Sequence, residues 1–123
     1  FEGAPRTTCP ATQMYFRVSV RRGGYLTVTA LDPAGRATVL VRNFPIDAGG
    51  SPIRVPPVGT REPVEARAPE GTWRLRAMWS PMRIDARYDG LRGLDAWTEA
   101  IRADLARFDD ASVFEDAYEV QRR

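Results

Sequence analysis

The chain has 123 residues and no histidine. That absence removes the usual general base near neutral pH, the Ser-His-Asp and Cys-His catalytic arrangements, and the commonest transition-metal ligand. There is a single cysteine, Cys9, so no internal disulfide can close and no multi-thiolate zinc site can form. A buried thiol is the simplest reading of Cys9; a disulfide between chains or a lipid anchor are the alternatives. Thr7 and Thr8 precede it where a lipoprotein cleavage site wants small and apolar residues. Lysine is also missing, so neither Gly23-Gly24 nor Gly49-Gly50 belongs to a lysine-bearing phosphate loop. No apolar run approaches the ~20 residues that a bilayer-crossing helix needs, so no membrane span is expected.

What is present describes an ordinary globular domain, with 43% hydrophobic and 28% charged residues. The basic complement is 18 arginines set against 16 acids, a net charge of +2. An all-arginine choice is explained more simply by a GC-rich coding bias than by function. The signs are interleaved, so no stretch carries the basic footprint of a nucleic-acid binder. A first residue of Phe1 fits a processed chain, hence an expectation of an exported protein in the cell envelope or outside the cell.

Residues 1–13 are rich in Pro, Thr, Ala and Gly without periodicity and read as an N-terminal arm or linker; residues 14–123 read as one β-rich domain. Met14, Phe16, Val18 and Val20 alternate with Tyr15, Arg17, Ser19 and Arg21, the period of a half-buried strand. Gly23-Gly24 then predicts a two-residue hairpin into Tyr25–Leu31. Asp32-Pro33-Ala34-Gly35 predicts a type I turn with a bulge into Arg36–Arg42, completing a three-stranded meander. The prolines of residues 43–59 disfavour a long regular element there and leave Ile53–Val55 as a short edge strand. Residues 63–68 alternate weakly.

From Thr72 to Ser80, Trp73, Leu75, Ala77 and Trp79 share one face, with Arg74, Arg76 and Met78 on the other. After Gly90 the period changes, since Leu94, Trp97, Ile101, Leu105 and Phe108 fall at helical spacing; with Asp95 as the candidate N-cap, a helix is expected over 96–108. The tail from Ser112 fits either a capped helix or a last strand, and the strand is preferred. The fold class expected is mainly β, an antiparallel sandwich-like domain of six or seven strands with one C-terminal helix.

Gly23–Asn43 followed by Ala68–Asp85 resembles a bacterial domain family of unknown function, number 4384. The likeness rests on Gly24-Tyr25-Leu26, on Asp32 with Gly35, on Leu40 before Asn43, on Pro69 with Gly71, and on the run from Ala77 to Met82. Where that family often has Pro-Asn after its second strand, this chain has Arg42-Asn43. The resemblance covers about half the chain and implies a β-rich module of bacterial envelope or signalling proteins, with no catalytic residue to carry over.

Carboxylate chemistry is the enzymatic option that needs no histidine, and Asp85 or Asp89 with Glu62 or Glu65 could supply the two acids of a hydrolase. No spacing selects a pair, and solvated turn positions explain them better. Asp109-Asp110 lacks the spacing of a calcium loop and reads as a helix-ending turn. No cofactor, metal or catalytic residue is therefore expected.

Tyr15, Arg17, Arg21, Tyr25, Arg74 and Arg76 fall on outward faces, where arginine and tyrosine together suit a protein interface. If their strands are neighbours, the arginines make a ladder able to grip carboxylate or phosphate. The expectation is a non-catalytic interaction or structural module with a protein partner and envelope or surface-layer association. A glycan-binding domain using Trp79, Tyr88 and an aspartate is the alternative.

Overall fold

The computed structural model describes residues 7–8, 13–14, 16–18, 22–47, 53–55, 64–65 and 69–120. Among them lie nine strands and one helix: β1 (Thr7–Thr8), β2 (Gln13–Met14), β3 (Phe16–Val18), β4 (Gly24–Leu31), β5 (Ala37–Ile46), β6 (Ile53–Val55), β7 (Val64–Glu65), β8 (Gly71–Ser80), α1 (Leu94–Leu105) and β9 (Ser112–Val120). The fold is mainly β with one helix, as the alternation predicts. Five strands form one sheet in the order β1-β9-β8-β4-β5, while β2 pairs with β7 and β3 with β6. All pairings are antiparallel except that of β1 with β9. No described helix is long and apolar enough to cross a membrane.

The Asp32–Gly35 turn forms as its residues dictate. Gly35 N–H donates to the Asp32 carbonyl, the Asp32 carboxylate accepts from the N–H groups of Ala34 and Arg36, and Gly35 sits at φ 86°. The preceding hairpin does not form. Both edges of β4 are taken by β5 and β8, and in the first alternating segment Met14 pairs with Val64 and Phe16–Val18 with Ile53–Val55 instead. Gly24 is needed for close approach rather than for a turn: a Cβ there would lie 2.5 Å from the Ser80 carbonyl oxygen and 2.7 Å from Trp79 Nε1. A backbone oxygen held in a ladder cannot retreat, so Gly24→Ala is expected to lower stability by about 2 kcal/mol, read from the urea midpoint. An unchanged midpoint would show that the strands are not this close.

β5 also departs from expectation, running through Asn43 and Pro45 to Ile46. Proline is tolerated because β5 bonds to β4 on one side only and so needs no donor on the other. The register shifts twice along β5, with Asn43 at φ 50° in the second bulge, between Val41 and Phe44.

The sheet carries core on both faces at β4 and β8. One carries Leu26, Val28, Ala30, Trp73, Leu75, Ala77, Tyr118 and Val120, with Trp73 and Tyr118 stacked at 5.8 Å. The other carries Leu31 and Met78 beneath Trp97 and Ile101 of α1. The face of β8 expected to be wet is thus the one that α1 covers, and Met78 is fully buried. The helix starts at Leu94 with Gly93, not Asp95, as its N-cap. Gly93, at φ 92°, donates its N–H to the Gly35 carbonyl, which docks the helix start on the β4–β5 turn and leaves Asp95 in the first helical turn.

The outer edge of β5 is covered by the connection from β8 to α1. Ile84, Ala86 and Tyr88 point inward while Arg83, Asp85, Arg87 and Asp89 point out, so residues 84–92 run beside β5 as an irregular segment, with Ala86 at φ 51° and a turn from Tyr88 to Leu91. Only its far end is ladder-like, with Arg36 bridging Arg92 and Ala37 bonding Gly90 and Leu91. Elsewhere side chains substitute for ladder bonds. The Asn43 amide bonds both the N–H and the carbonyl of Ile84, Asp89 accepts from Val39 N–H and pairs with Arg42, and Arg42 donates to the Ala86 carbonyl.

From the helix, Asp104 accepts the Ala86 N–H and, at 2.5 Å, the Tyr88 hydroxyl. Burial first, and then this hydrogen bond, hold the Tyr88 hydroxyl far above the ordinary tyrosine value of 10.0. The unfolded chain releases that proton near pH 10 and the folded chain does not. Tyr88 therefore contributes fully below pH 10 and progressively less above it, by about 1.4 kcal/mol per pH unit. Urea midpoints from pH 9 to 11.5 should fall more steeply for the parent than for Tyr88→Phe; parallel curves would refute this.

Candidate functional site

Directly opposed residues of paired strands share a face, and β8 and β9 pair from Gly71↔Val120 to Trp79↔Ser112. Arg74, Arg76 and Met78 therefore look toward α1 together with Ala117, Glu115 and Val113. The helix lies over Met78 but stops short of β9. The gap holds two hollows of about 350 Å³ and about 380 Å³, both bordered by Arg76 and Glu115, which together make one groove. Its polar end lies among Arg74, Arg76, Trp97 and Ala117; its apolar end lies among Ile101, Leu105 and Val113.

Arg76 is a fixed part of the floor. Its guanidinium lies 4.5 Å from the centre of the Trp97 ring, donates to Glu115 Oε1 at 3.0 Å and to Thr98 Oγ1 at 2.8 Å, and is 15% exposed. A desolvated cation on an indole face is worth roughly 2 kcal/mol, so this side chain is held rather than waiting for a ligand. Arg74 is exposed and makes no ion pair among the described residues.

The groove opens onto the outer edge of β9. There β1 pairs only with Glu119 and Val120, so between Ser112 and Tyr118 no described strand takes the outward backbone groups. Residues 112–117 are all exposed, including Val113 at 44% and Phe114 at 38%.

Two of the six residues named from sequence, Arg74 and Arg76, meet at this groove. Tyr25 shares their sheet face but stands at its other end, opposite Ser80, with Arg83 over its ring. Arg17 is exposed on β3, in register with Arg54 of β6; the condition for an arginine ladder is not met for Arg17, because β3 does not neighbour β8. Tyr15 and Arg21 lie outside the described residues, as do Cys9 and Glu62. Sequence reasoning missed Trp97, Thr98, Val113 and Glu115 as groove residues, and the weak alternation of the tail was the one available signal.

The glycan platform fails on burial, since Trp79 is 7% and Tyr88 1% exposed and neither ring can stack on a sugar. Of the acids considered for hydrolysis, Asp89 is engaged with Thr38, Val39 and Arg42. Asp110 is paired with Arg22. Compared with known protein families, curated proteins and solved structures, the chain has no match.

Proposed function

We propose that this chain is a non-catalytic interaction module of a bacterial cell-envelope or secreted protein assembly, taking an extended segment of a partner along β9 and into the adjoining groove. The observation that supports this reading best is the contrast between the two edges of the sheet. The β5 edge is closed by side-chain bonds with residues 84–92, whereas no described strand pairs with the β9 edge between Ser112 and Tyr118, where Val113 and Phe114 are exposed. Proteins normally blunt exposed edges, and an edge left open beside a groove is the geometry of strand addition, in which backbone bonds give affinity and side-chain pockets give selectivity. The envelope setting is drawn from the resemblance of Gly23–Asn43 and Ala68–Asp85 to the β-rich bacterial family, and kinship with that family is part of the proposal.

The test is capture from a bacterial envelope extract by the immobilised chain, comparing the parent with Val113→Lys and Arg74→Glu. A partner retained by the parent and lost by both variants, with their melting temperatures within about 2 °C of the parent, supports strand addition. A partner captured equally by all three, or none captured by any, refutes it.

A further inference from the structure

Away from the groove, where β8 ends and α1 gives way to β9, a second surface is assembled from arginines laid on aromatic rings. Arg83 lies 5.3 Å from the centre of the Tyr25 ring, and Arg107 lies 4.7 Å from that of Phe108. The two are joined, because the Arg107 guanidinium donates to the Arg83 carbonyl oxygen. Met82 stands between β8 and Arg83 at 65% exposure, the most exposed large apolar side chain among the described residues, and the buried Ser80 hydroxyl pins its backbone carbonyl at 2.8 Å. Nearby, Arg22 lies over Trp79 and is neutralised by Asp110.

Among the described residues, Arg83 and Arg107 have no such neutralising partner. Neither makes an ion pair among the described residues, and Asp85 and Asp109, the nearest acids in sequence, pair with neither. A guanidinium held over a ring can present the N–H groups it does not spend elsewhere as a fork for a carboxylate, Arg107 keeping those beyond its bond to the Arg83 carbonyl, and the ring limits the entropy lost when that fork is used. Two such forks beside a protruding methionine combine the arginine, aromatic and methionine content enriched at protein interfaces.

We infer that this corner docks an acidic segment of a partner protein, with carboxylates bridging Arg83 and Arg107 and an apolar side chain packing on Met82. None of these residues borders the β9 groove, although Ala106 at its rim adjoins Arg107, so the test includes groove variants that keep the two sites distinguishable.

The probe is a fluorescein-labelled peptide of glutamates around one leucine, titrated by anisotropy at two salt concentrations. Binding should weaken at least tenfold in Arg83→Glu and in Arg107→Glu, severalfold in Arg107→Lys, which keeps the charge but loses the fork, and severalfold in Met82→Ser. Arg87→Glu, Val113→Lys and Arg74→Glu should leave it unchanged, and melting curves confirm that each variant is folded. Loss of binding in Val113→Lys alone would move the site to the groove and overturn the inference. So would no binding by the parent, equal binding of an all-glutamate peptide without leucine, or equal binding to phosphatidylglycerol vesicles, which would mark a general response to negative charge.

Discussion

Replacing Trp97 by alanine is expected to remove about 4 kcal/mol of stability, the largest loss for any single side chain of the helix. The 12-residue α1 is too short to persist by its own propensity, and its N-cap Gly93 offers no side-chain hydrogen bond. What retains it is burial, and only Trp97 and Ile101 of the helix are fully buried. The indole fills the space over Met78, donates from Nε1 to Thr29 Oγ1 at 3.1 Å inside the core, and carries the Arg76 guanidinium on its face. Alanine leaves a void, a Thr29 hydroxyl that keeps its bond to the Thr38 carbonyl but loses the indole donor, and an unsupported cation. Phenylalanine keeps most of the apolar volume and loses the Nε1 bond, so Trp97→Phe should cost about 1.5 kcal/mol. Urea titration followed by far-ultraviolet circular dichroism separates the two; equal midpoints for alanine and phenylalanine would mean that the helix is held by something other than this ring. Because a domain of this size has only some 5–15 kcal/mol in total, the alanine variant should also lose the groove, whose one wall is α1.

That dependence explains why some of the architecture was legible in the sequence and some was not. The alternation of Trp73, Leu75 and Ala77, the Asp32–Gly35 turn and the change of period after Gly90 each depend on residues close in the chain, and each produced its element. Gly23-Gly24 misled because a glycine can serve a turn or a close approach equally well, and only the placement of Trp79 and Ser80 across the ladder decides which. The tail was ambiguous because an edge strand exposed on both sides has little apolar alternation to show. The groove was invisible for a stronger reason: Arg76, Trp97 and Glu115 come from three elements, and their meeting is fixed by strand order rather than by local pattern. The inward Ile84, Ala86 and Tyr88 did carry a period-two signal between Pro81 and Gly90, but Ala86 sits at φ 51° and the partner contacts are made largely through side chains, so no regular strand forms.

Those side-chain contacts make Asn43 the second critical residue, and Asn43→Ala is expected to cost about 3.5 kcal/mol. Its amide donates to the Ile84 carbonyl at 2.7 Å and accepts the Ile84 N–H at 3.0 Å, imitating a peptide group, while its own N–H donates to Thr27 Oγ1. Ile84 is 4% exposed, so both of its backbone groups would lose their partner in a place water reaches poorly, at roughly 1–3 kcal/mol for the pair. The φ of 50° adds about 1 kcal/mol for any residue with a Cβ that lacks asparagine's tolerance of this region. Asn43→Gly removes the second penalty and keeps the first, so it should be about 1 kcal/mol more stable than Asn43→Ala yet still well below the parent. Hydrogen exchange at the Ile84 and Ala86 amides should accelerate in both variants before the sheet itself opens, because residues 84–92 detach from β5 first. With that cover loosened the β5 edge becomes a second open edge, and both variants should self-associate at concentrations where the parent stays dispersed. Identical stability of the alanine and glycine variants would deny the backbone term, and parent-like exchange at Ile84 would deny that Asn43 closes this edge at all.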